Sequence, residues 1–482
     1  MNHPAPVPDG QIGVLARTQA RRGLYAYVFL SHLLLTLQNM LRTSVFRTLV
    51  TCDVPVGNLT GSSHCGNLNV VVEEAQQMDG AVQALGLVAN IIVKPLVSAF
   101  ADVHSRSLVI IQGQVTFALG SALMAVAALY GSGADAHILG EPRFLAPIVL
   151  PYLGQVMLGL RVQNAIINSM AAAVSDSDSL KSTWAARLVV VFATAIFGGW
   201  VVGYVVLRSN LLDYTPFMAC LPVLHLLALL PLVVVVPVTE RKLPSEKPTI
   251  GSSAVHRFRV WHEAVTLIRG WWRMLVRSRE LQIVSCGAAL CAFGFYGTTN
   301  LLISFTIAVF GWEQSDYYLL VPIAAAFGFV SYFVTNARIL PRYGSHFVLI
   351  AMVPIFASGV FVIMFSPFSV YAFAASGTII SISIPFYPAY VNAMTCFFSP
   401  KEWAQAQGVI EMVVTLAQIA AYSTFPRIFD ASARGAAAMT PFIVATASVL
   451  PGSFIIWCLS FKLHRRTQNA AVVSSTSPAS AQ

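Results

Sequence analysis

Acids and bases are scarce in this chain, so the few set inside or beside apolar runs identify where its chemistry lies. Asp102 and Arg106 sit four residues apart in the short polar turn of Lys94-Pro95-Leu96-Val97-Ser98-Ala99-Phe100-Ala101-Asp102-Val103-His104-Ser105-Arg106-Ser107, which joins two long apolar stretches. A hairpin that tight needs no charges, so an opposed pair there holds the turn in a defined state. Glu411 interrupts another apolar stretch, on one helical face with Gln407, Thr415 and Gln418. A carboxyl at that depth is titratable once desolvation raises its pKa, which is what a proton-coupled carrier requires. Arg161 lies within a further apolar stretch, where a guanidinium needs a partner or water. No paired carboxylates, nucleophile motif or metal-ligand spacing is present, so the sequence points away from an enzyme, and no cofactor or metal is expected.

The elements that must carry these groups are membrane helices. Of the 482 residues, 56% are hydrophobic and only 10% charged, against ~25% charged in a typical soluble domain. Mean hydropathy is +0.71. Apolar runs recur from end to end, which excludes a soluble core with one anchor. Taking ~20 apolar residues per crossing, twelve spans are predicted at 23–50, 80–101, 107–130, 146–173, 184–207, 214–237, 282–310, 317–337, 346–366, 368–395, 404–425 and 437–461. The fold class is therefore an all-α polytopic membrane protein with two pseudo-symmetric six-helix bundles, 23–237 and 282–461. They are flanked by an N-terminal tail (1–22), a central loop (238–281) and a disordered tail (462–482). The first 22 residues are polar and the first apolar run is too long for a cleavable signal.

Lys and Arg fix the orientation. With twelve spans, Arg17, Arg21, Arg22, Arg106, Lys181, the basic central loop, Lys462, Arg465 and Arg466 fall on one side; Arg143, Arg208, Arg427 and Arg434 fall on the other. Both termini are thus expected in the cytosol. The net charge of +9 follows from this bias rather than from nucleic-acid binding. The first outer loop, about 51–79, holds Asp53, Glu73, Glu74 and Asp79 and no Lys or Arg. It also carries Asn58-Leu59-Thr60, a glycosylation acceptor on the correct side, and Cys52 and Cys65, which can pair where that side is oxidising. Cys220, Cys286, Cys291, Cys396 and Cys458 lie in or beside apolar runs and read as packing residues. In the central loop, Pro244, Pro248 and Gly251 mark a linker. Val255 to Glu280 mixes Trp261, Trp271 and Trp272 with Arg and His, as an amphipathic helix on the inner membrane surface does; a calmodulin-like partner is the other reading.

The turn at 98–107 resembles the signature of the major facilitator superfamily. Ser98, Asp102, Ser105 and Arg106 carry the match, with serine at two positions where that family has glycine. Arg338 to His346 occupies the equivalent place in the second half: Arg342 and Gly344 match, and Pro341 stands where an acid is usual. This is the degraded second copy expected of a duplicated unit. Met78-Asp79-Gly80, Phe398-Ser399-Pro400 and Ala406-Gln407-Gly408-Val409-Ile410 resemble the hippocampus-abundant-transcript and tetracycline-resistance-like branch.

The resemblance implies a secondary transporter of a small organic solute, a monomer in the lipid bilayer. Proton symport, facilitative uniport and a non-transporting receptor or scaffold remain open. It also implies that spans one, four, seven and ten line a central cavity. The polar faces on those spans are His32, Thr36, Asn39 and Thr43, with Gln38 and Arg42 on an adjacent strip; Arg161, Asn164 and Asn168; Tyr296, Thr299, Asn300 and Ser304; and Tyr387, Tyr390 and Asn392. Each of these residues is equally readable as helix packing. Arg42 and Arg161 favour an anionic or strongly hydrogen-bonding solute; Tyr387 and Tyr390 as cation–π platforms favour the reverse. Asp102, Arg106 and Arg342 are gating residues by the same analogy. Asp102 would latch against the start of span eleven, where Ser399-Pro400-Lys401-Glu402 forms a capping box. Gly198, Gly199 and Gly203 in span five allow close helix approach. The membrane is left open between plasma membrane and endomembrane.

Overall fold

The computed structural model describes residues 14–51, 68–103, 106–130, 167, 178–208, 214–236, 253–312, 314–386, 389–390, 393 and 403–476. Among the described residues all regular structure is helical. The helices are α1 (Val14–Thr51), α2 (Leu68–Val103), α3 (Arg106–Tyr130), α4 (Asp178–Arg208), α5 (Tyr214–Leu227), α6 (Ser253–Arg277), α7 (Arg279–Phe310), α8 (Gln314–Val334), α9 (Leu340–Ile363), α10 (Val370–Ile382), α11 (Trp403–Ile428) and α12 (Thr440–Thr476). Apart from Ile167, the predicted span 146–173 lies outside the described residues, and α6 belongs to the central loop. Segments Arg279–Phe310, Arg342–Ile363, Gly408–Ile428 and Ala437–Arg465 are long and apolar enough to cross a bilayer. Shorter apolar helices are Ser107–Leu123, Val190–Val205, Ala219–Val234, Leu319–Val334 and Val370–Ile382.

Four boundaries differ from the sequence expectation, each for a physical reason. The polar stretch expected as outer loop to residue 79 is helical from Leu68. Val72, Gln76 and Asp79 are buried at i, i+4, i+7, so that segment is amphipathic and packs rather than loops. The sixth span breaks after Leu227 into a 3-10 turn, Leu230–Val234, because Pro231 has no N–H to give the helix. The tenth breaks after Ile382, around Pro385, and helical residues resume at Phe386, 389–390 and 393. α12 continues to Thr476 through a stretch expected to be disordered. Propagating an existing helix through good formers such as Lys462, Arg465, Gln468 and Ala470 costs little.

Glycine sets the close approaches. A Cβ at Gly199 would lie 2.7 Å from the Thr36 Cβ, so α4 rides directly on α1 as the glycine spacing implied. Gly294 and Gly452 do the same for α7 against α12. In the second-half turn, a π-helical segment (Thr335–Ile339) runs into α9, and Gly344 adopts φ 77, ψ 169, a conformation that glycine alone takes without strain. The C-terminal half has a continuous core around Leu281, Val284, Leu349, Tyr390, Val409 and Ile456. Leu108, Val115 and Leu119 of α3, and Leu319, Ile323, Phe327 and Val330 of α8, present apolar rows outward. Such rows suit lipid, not water.

Candidate functional site: the seam between the two halves

The two halves meet where α2 lies against α11 and α7, and where α4 lies against α8. Near the N-terminal end of α2 the contact is polar and close. Ser304 donates to Gln76 Oε1 at 2.6 Å. Gln83 Nε2 donates to Asn300 Oδ1 at 3.0 Å and to Asp79 Oδ2 at 2.6 Å. Gln76, Gln83 and Asn90 recur every seven residues and so share one face of α2. Gly80 permits the approach: a Cβ there would lie 2.5 Å from the Tyr422 carbonyl and 2.6 Å from Pro426. Beside these bonds, Met40 and Val72 of the first half share a core with Leu301, Phe305, Phe425 and Phe442 of the second. Phe425 lies against Gly297, whose missing side chain makes room for the ring.

Further along α2 the contact opens. A small cleft of about 20 Å³, lined by Asn90, Ile91, Trp271, Gly408, Glu411, Met412 and Thr415, separates α2 from α11. That volume holds about one water. Trp271 comes from α6, which packs on both α2 and α11, and its indole rests on Gly408, where a Cβ would come within 2.6 Å. Asn90 Oδ1 and Trp271 Nε1 are buried there with no hydrogen-bond partner, an arrangement that costs about 1–3 kcal/mol per group. Glu411 is half-buried at the wall of the same cleft; its carbonyl accepts from Thr415 Oγ1 at 2.7 Å.

A second polar cluster knits α1, α3 and α5. Gln114 Nε2 meets His225 Nδ1 at 3.0 Å and the His225 carbonyl at 3.2 Å. His225 Nε2 meets Gln38 Oε1 at 3.0 Å. Ser121 donates to Gln38 Oε1 at 2.9 Å, and Tyr27 donates to Gln114 Oε1 at 3.3 Å. The His225 carbonyl demands a donor from Gln114, which fixes that amide. Nδ1 of His225 is then an acceptor and Nε2–H a donor to Gln38, so the neutral ring satisfies the network. This cluster binds helix to helix within one half.

The sequence candidates divide accordingly. His32 is buried, its Nδ1 2.8 Å from the Val28 carbonyl and its ring edge-on to Phe192 of α4 at 4.4 Å. Thr36 donates to the His32 carbonyl at 2.8 Å and faces Gly199. That strip of α1 therefore packs on α4, while Asn39, one turn on, is exposed. Asn300 is in the seam, and Tyr296 stands beside it, edge-on to Tyr422 at 6.4 Å. Tyr390 is turned into the C-terminal core and donates to the Val284 carbonyl at 3.0 Å, which corrects its reading as a free cation–π platform. Arg342 is exposed on the first turn of α9. Asp102, Arg106 and Arg42 lie at described helix positions, but their side chains are outside the description. Arg161, Asn164, Asn168, Tyr387, Asn392, Asn58, Cys52, Cys65 and the Ser399–Glu402 cap lie outside the described residues altogether. Cys220, Cys286, Cys291 and Cys458 are free thiols. Sequence reasoning missed Gln76, Gln83, Asn90, His225 and Gln114 as a site. The seven-residue spacing on α2 was the available signal.

A sequence profile of the Major Facilitator Superfamily matches residues 68–422. The chain belongs to that superfamily, a family of membrane transporters rather than enzymes. Solved structures share the fold. The human organic anion transporter MFSD10 (TETRAN) is 14% identical, with 91% of this chain and 99% of that chain covered and a TM-score of 0.63. A D-xylose-proton symporter is 14% identical, with 92% and 97% covered and a TM-score of 0.64. A point mutant of the nucleoside transporter NupG is 14% identical, with 91% and 99% covered and a TM-score of 0.59. At these identities the likeness carries the twelve-helix fold and no substrate. No sequence among the curated proteins matches the chain.

Proposed function

We propose that this protein is a secondary transporter that moves a small organic solute by alternating access, the two six-helix halves separating in turn at either end of the α2–α7–α11 seam. The observation that carries this reading is the asymmetry of the seam. One end is closed by Ser304–Gln76 and Gln83–Asn300, and the other holds a water-sized cleft at Asn90 in place of such bonds. With both termini cytosolic, the bonded end is the outer one and the water-sized cleft lies toward the cytosol. Asn39, Arg42, Arg161, Asn164, Asn168, Tyr296, Asn300, Tyr387 and Asn392 face the central path. Arg42 and Arg161 bias it toward an anionic or strongly hydrogen-bonding solute. Asp102, Arg106 and Arg342 hold the cytosolic turns, and Asn58 and the Cys52–Cys65 pair mark the outer face.

Glu411 is the proton-coupling residue in this reading, because it is a half-buried carboxyl on an apolar helix and borders the cytosolic cleft. The test is solute uptake into proteoliposomes with and without an inward proton gradient. Coupled transport predicts gradient-driven accumulation that Glu411→Gln converts to equilibration. Equilibration by the wild type under both conditions makes the protein a uniporter. No solute flux across a metabolite panel, with binding retained, makes it a receptor on the same fold. The missing acid at Pro341 in the second-half turn favours that last alternative.

A further inference from the structure

Helix α6 carries two adjacent rows of side chains at i, i+4, i+8. One is apolar: Ile268, Trp272 and Val276 are 44%, 62% and 59% exposed. The next is cationic: Arg269, Arg273 and Arg277, all exposed. Among the described residues, none of these three guanidiniums is held in an ion pair. The opposite face is engaged, with Trp271, Met274 and Leu275 packed on the C-terminal core. The helix is also fixed in height. Ser278 takes an extended conformation between α6 and α7 and caps α7 by accepting from the Leu281 N–H at 3.2 Å. Gln282 reaches back to donate to the Leu275 and Val276 carbonyls at 3.0 and 3.1 Å. This elbow ties the end of α6 to the point where the apolar helix α7 enters the bilayer.

Water is a poor partner for an apolar row so exposed, and a protein interface without carboxylates would desolvate three guanidiniums that have no ion pair among the described residues. A membrane surface accepts both rows: the apolar one enters the acyl boundary, and the arginines snorkel to the phosphates. Neutral headgroups satisfy the apolar row only; the exposed positive row adds a demand for net negative charge. We propose that this outer face of α6 is a docking surface for anionic phospholipid headgroups, with Arg269, Arg273 and Arg277 on the phosphates and Trp272 at the interface. Because α6 also packs on α2 and α11, lipid held there bears on the two helices that flank the Asn90 cleft. The assignment of this surface does not depend on which solute, if any, is carried.

The test uses the full chain in phosphatidylcholine vesicles containing an equal mole fraction of brominated phosphatidylglycerol or brominated phosphatidylcholine. The Trp272 signal is taken as the difference between wild type and Trp272→Phe. The anionic brominated lipid is expected to quench it at least about threefold more strongly. Arg269→Gln/Arg273→Gln/Arg277→Gln should abolish that preference, and the triple Lys variant should keep most of it. Equal quenching by both lipids in the wild type overturns the proposal, as does a Gln variant with its preference intact. Absence of quenching by either lipid, with a shift of Trp272 emission on adding an acidic calcium-binding protein, assigns the face to a protein partner and overturns it equally.

Discussion

Replacing Ser304 and Asn300 together by alanine should open the closed end of the seam. Ser304→Ala removes the 2.6 Å bond to Gln76. Because Gln76 Nε2 is already buried without a partner, the whole amide is then orphaned, at a cost of about 1–3 kcal/mol. Asn300→Ala removes the 3.0 Å bond from Gln83, which keeps Asp79, but also removes the buried, unpartnered Asn300 Nδ2, so the two effects roughly offset. In the separated state these amides reach water, so the change falls almost wholly on the closed form. The combined shift is about 1–3 kcal/mol, or roughly 5- to 150-fold in the closed-to-open ratio. Spin labels on Gln77 of α2 and Arg427 of α11, both exposed, report it by pulsed dipolar spectroscopy in nanodiscs. A single short-distance population is expected to give way to one with a substantial longer component. An unchanged distribution in the double variant, with uptake also unchanged, would refute the reasoning that these bonds close the gate.

Other outcomes follow from the same geometry. His225→Leu leaves Gln38 and Gln114 without their shared partner and should destabilise the N-terminal half by about 2–4 kcal/mol, read as a lower Tm in detergent. Gly199→Val drives a Cβ to within 2.7 Å of Thr36 and should cost about 1–3 kcal/mol, whereas Gly198→Ala, whose Cβ meets Leu33 at 3.5 Å, should be near neutral; equal Tm values for the two would contradict the close α1–α4 packing. In the loop after α11, hydrogen bonds from the Ser432 hydroxyl and N–H hold the Asp430 carboxyl below its ordinary value of 3.8. A depressed carboxyl adds stability above the unfolded value and loses it as pH falls through the folded one. Ser432→Ala should therefore move the Asp430 midpoint upward in a carbon-13 titration, and an unmoved midpoint would exclude this cause.

The spans with uninterrupted apolar runs, α3 and α7 among them, are legible from composition because a bilayer permits little else. Where prolines cut a run, at Pro231 and Pro385, hydropathy alone overextends the helix, since it measures transfer and not backbone hydrogen bonding. The start of α2 was obscured for the opposite reason. Glu73, Glu74 and Asp79 lower the local hydropathy, yet Val72, Gln76 and Asp79 form one buried face that only the partner helices reveal. Of the cavity candidates, Asn300 meets the other half, while His32 and Tyr390 satisfy nearby backbone carbonyls. A polar face on a membrane helix does not by itself distinguish a path from a packing contact. The seam residues Gln83 and Gln76 needed the fold, because their partners Asn300 and Ser304 lie more than two hundred residues away.

The central claim is that the halves must part at Gln83–Asn300 for solute to cross. Cysteines at 83 and 300 in a background without the native thiols, joined by a short bifunctional maleimide, test it in one uptake measurement. The account predicts that joining abolishes the transport that the unjoined double variant retains, itself altered by the loss of Gln83 and Asn300. Full uptake by the joined protein would contradict alternating access at this seam.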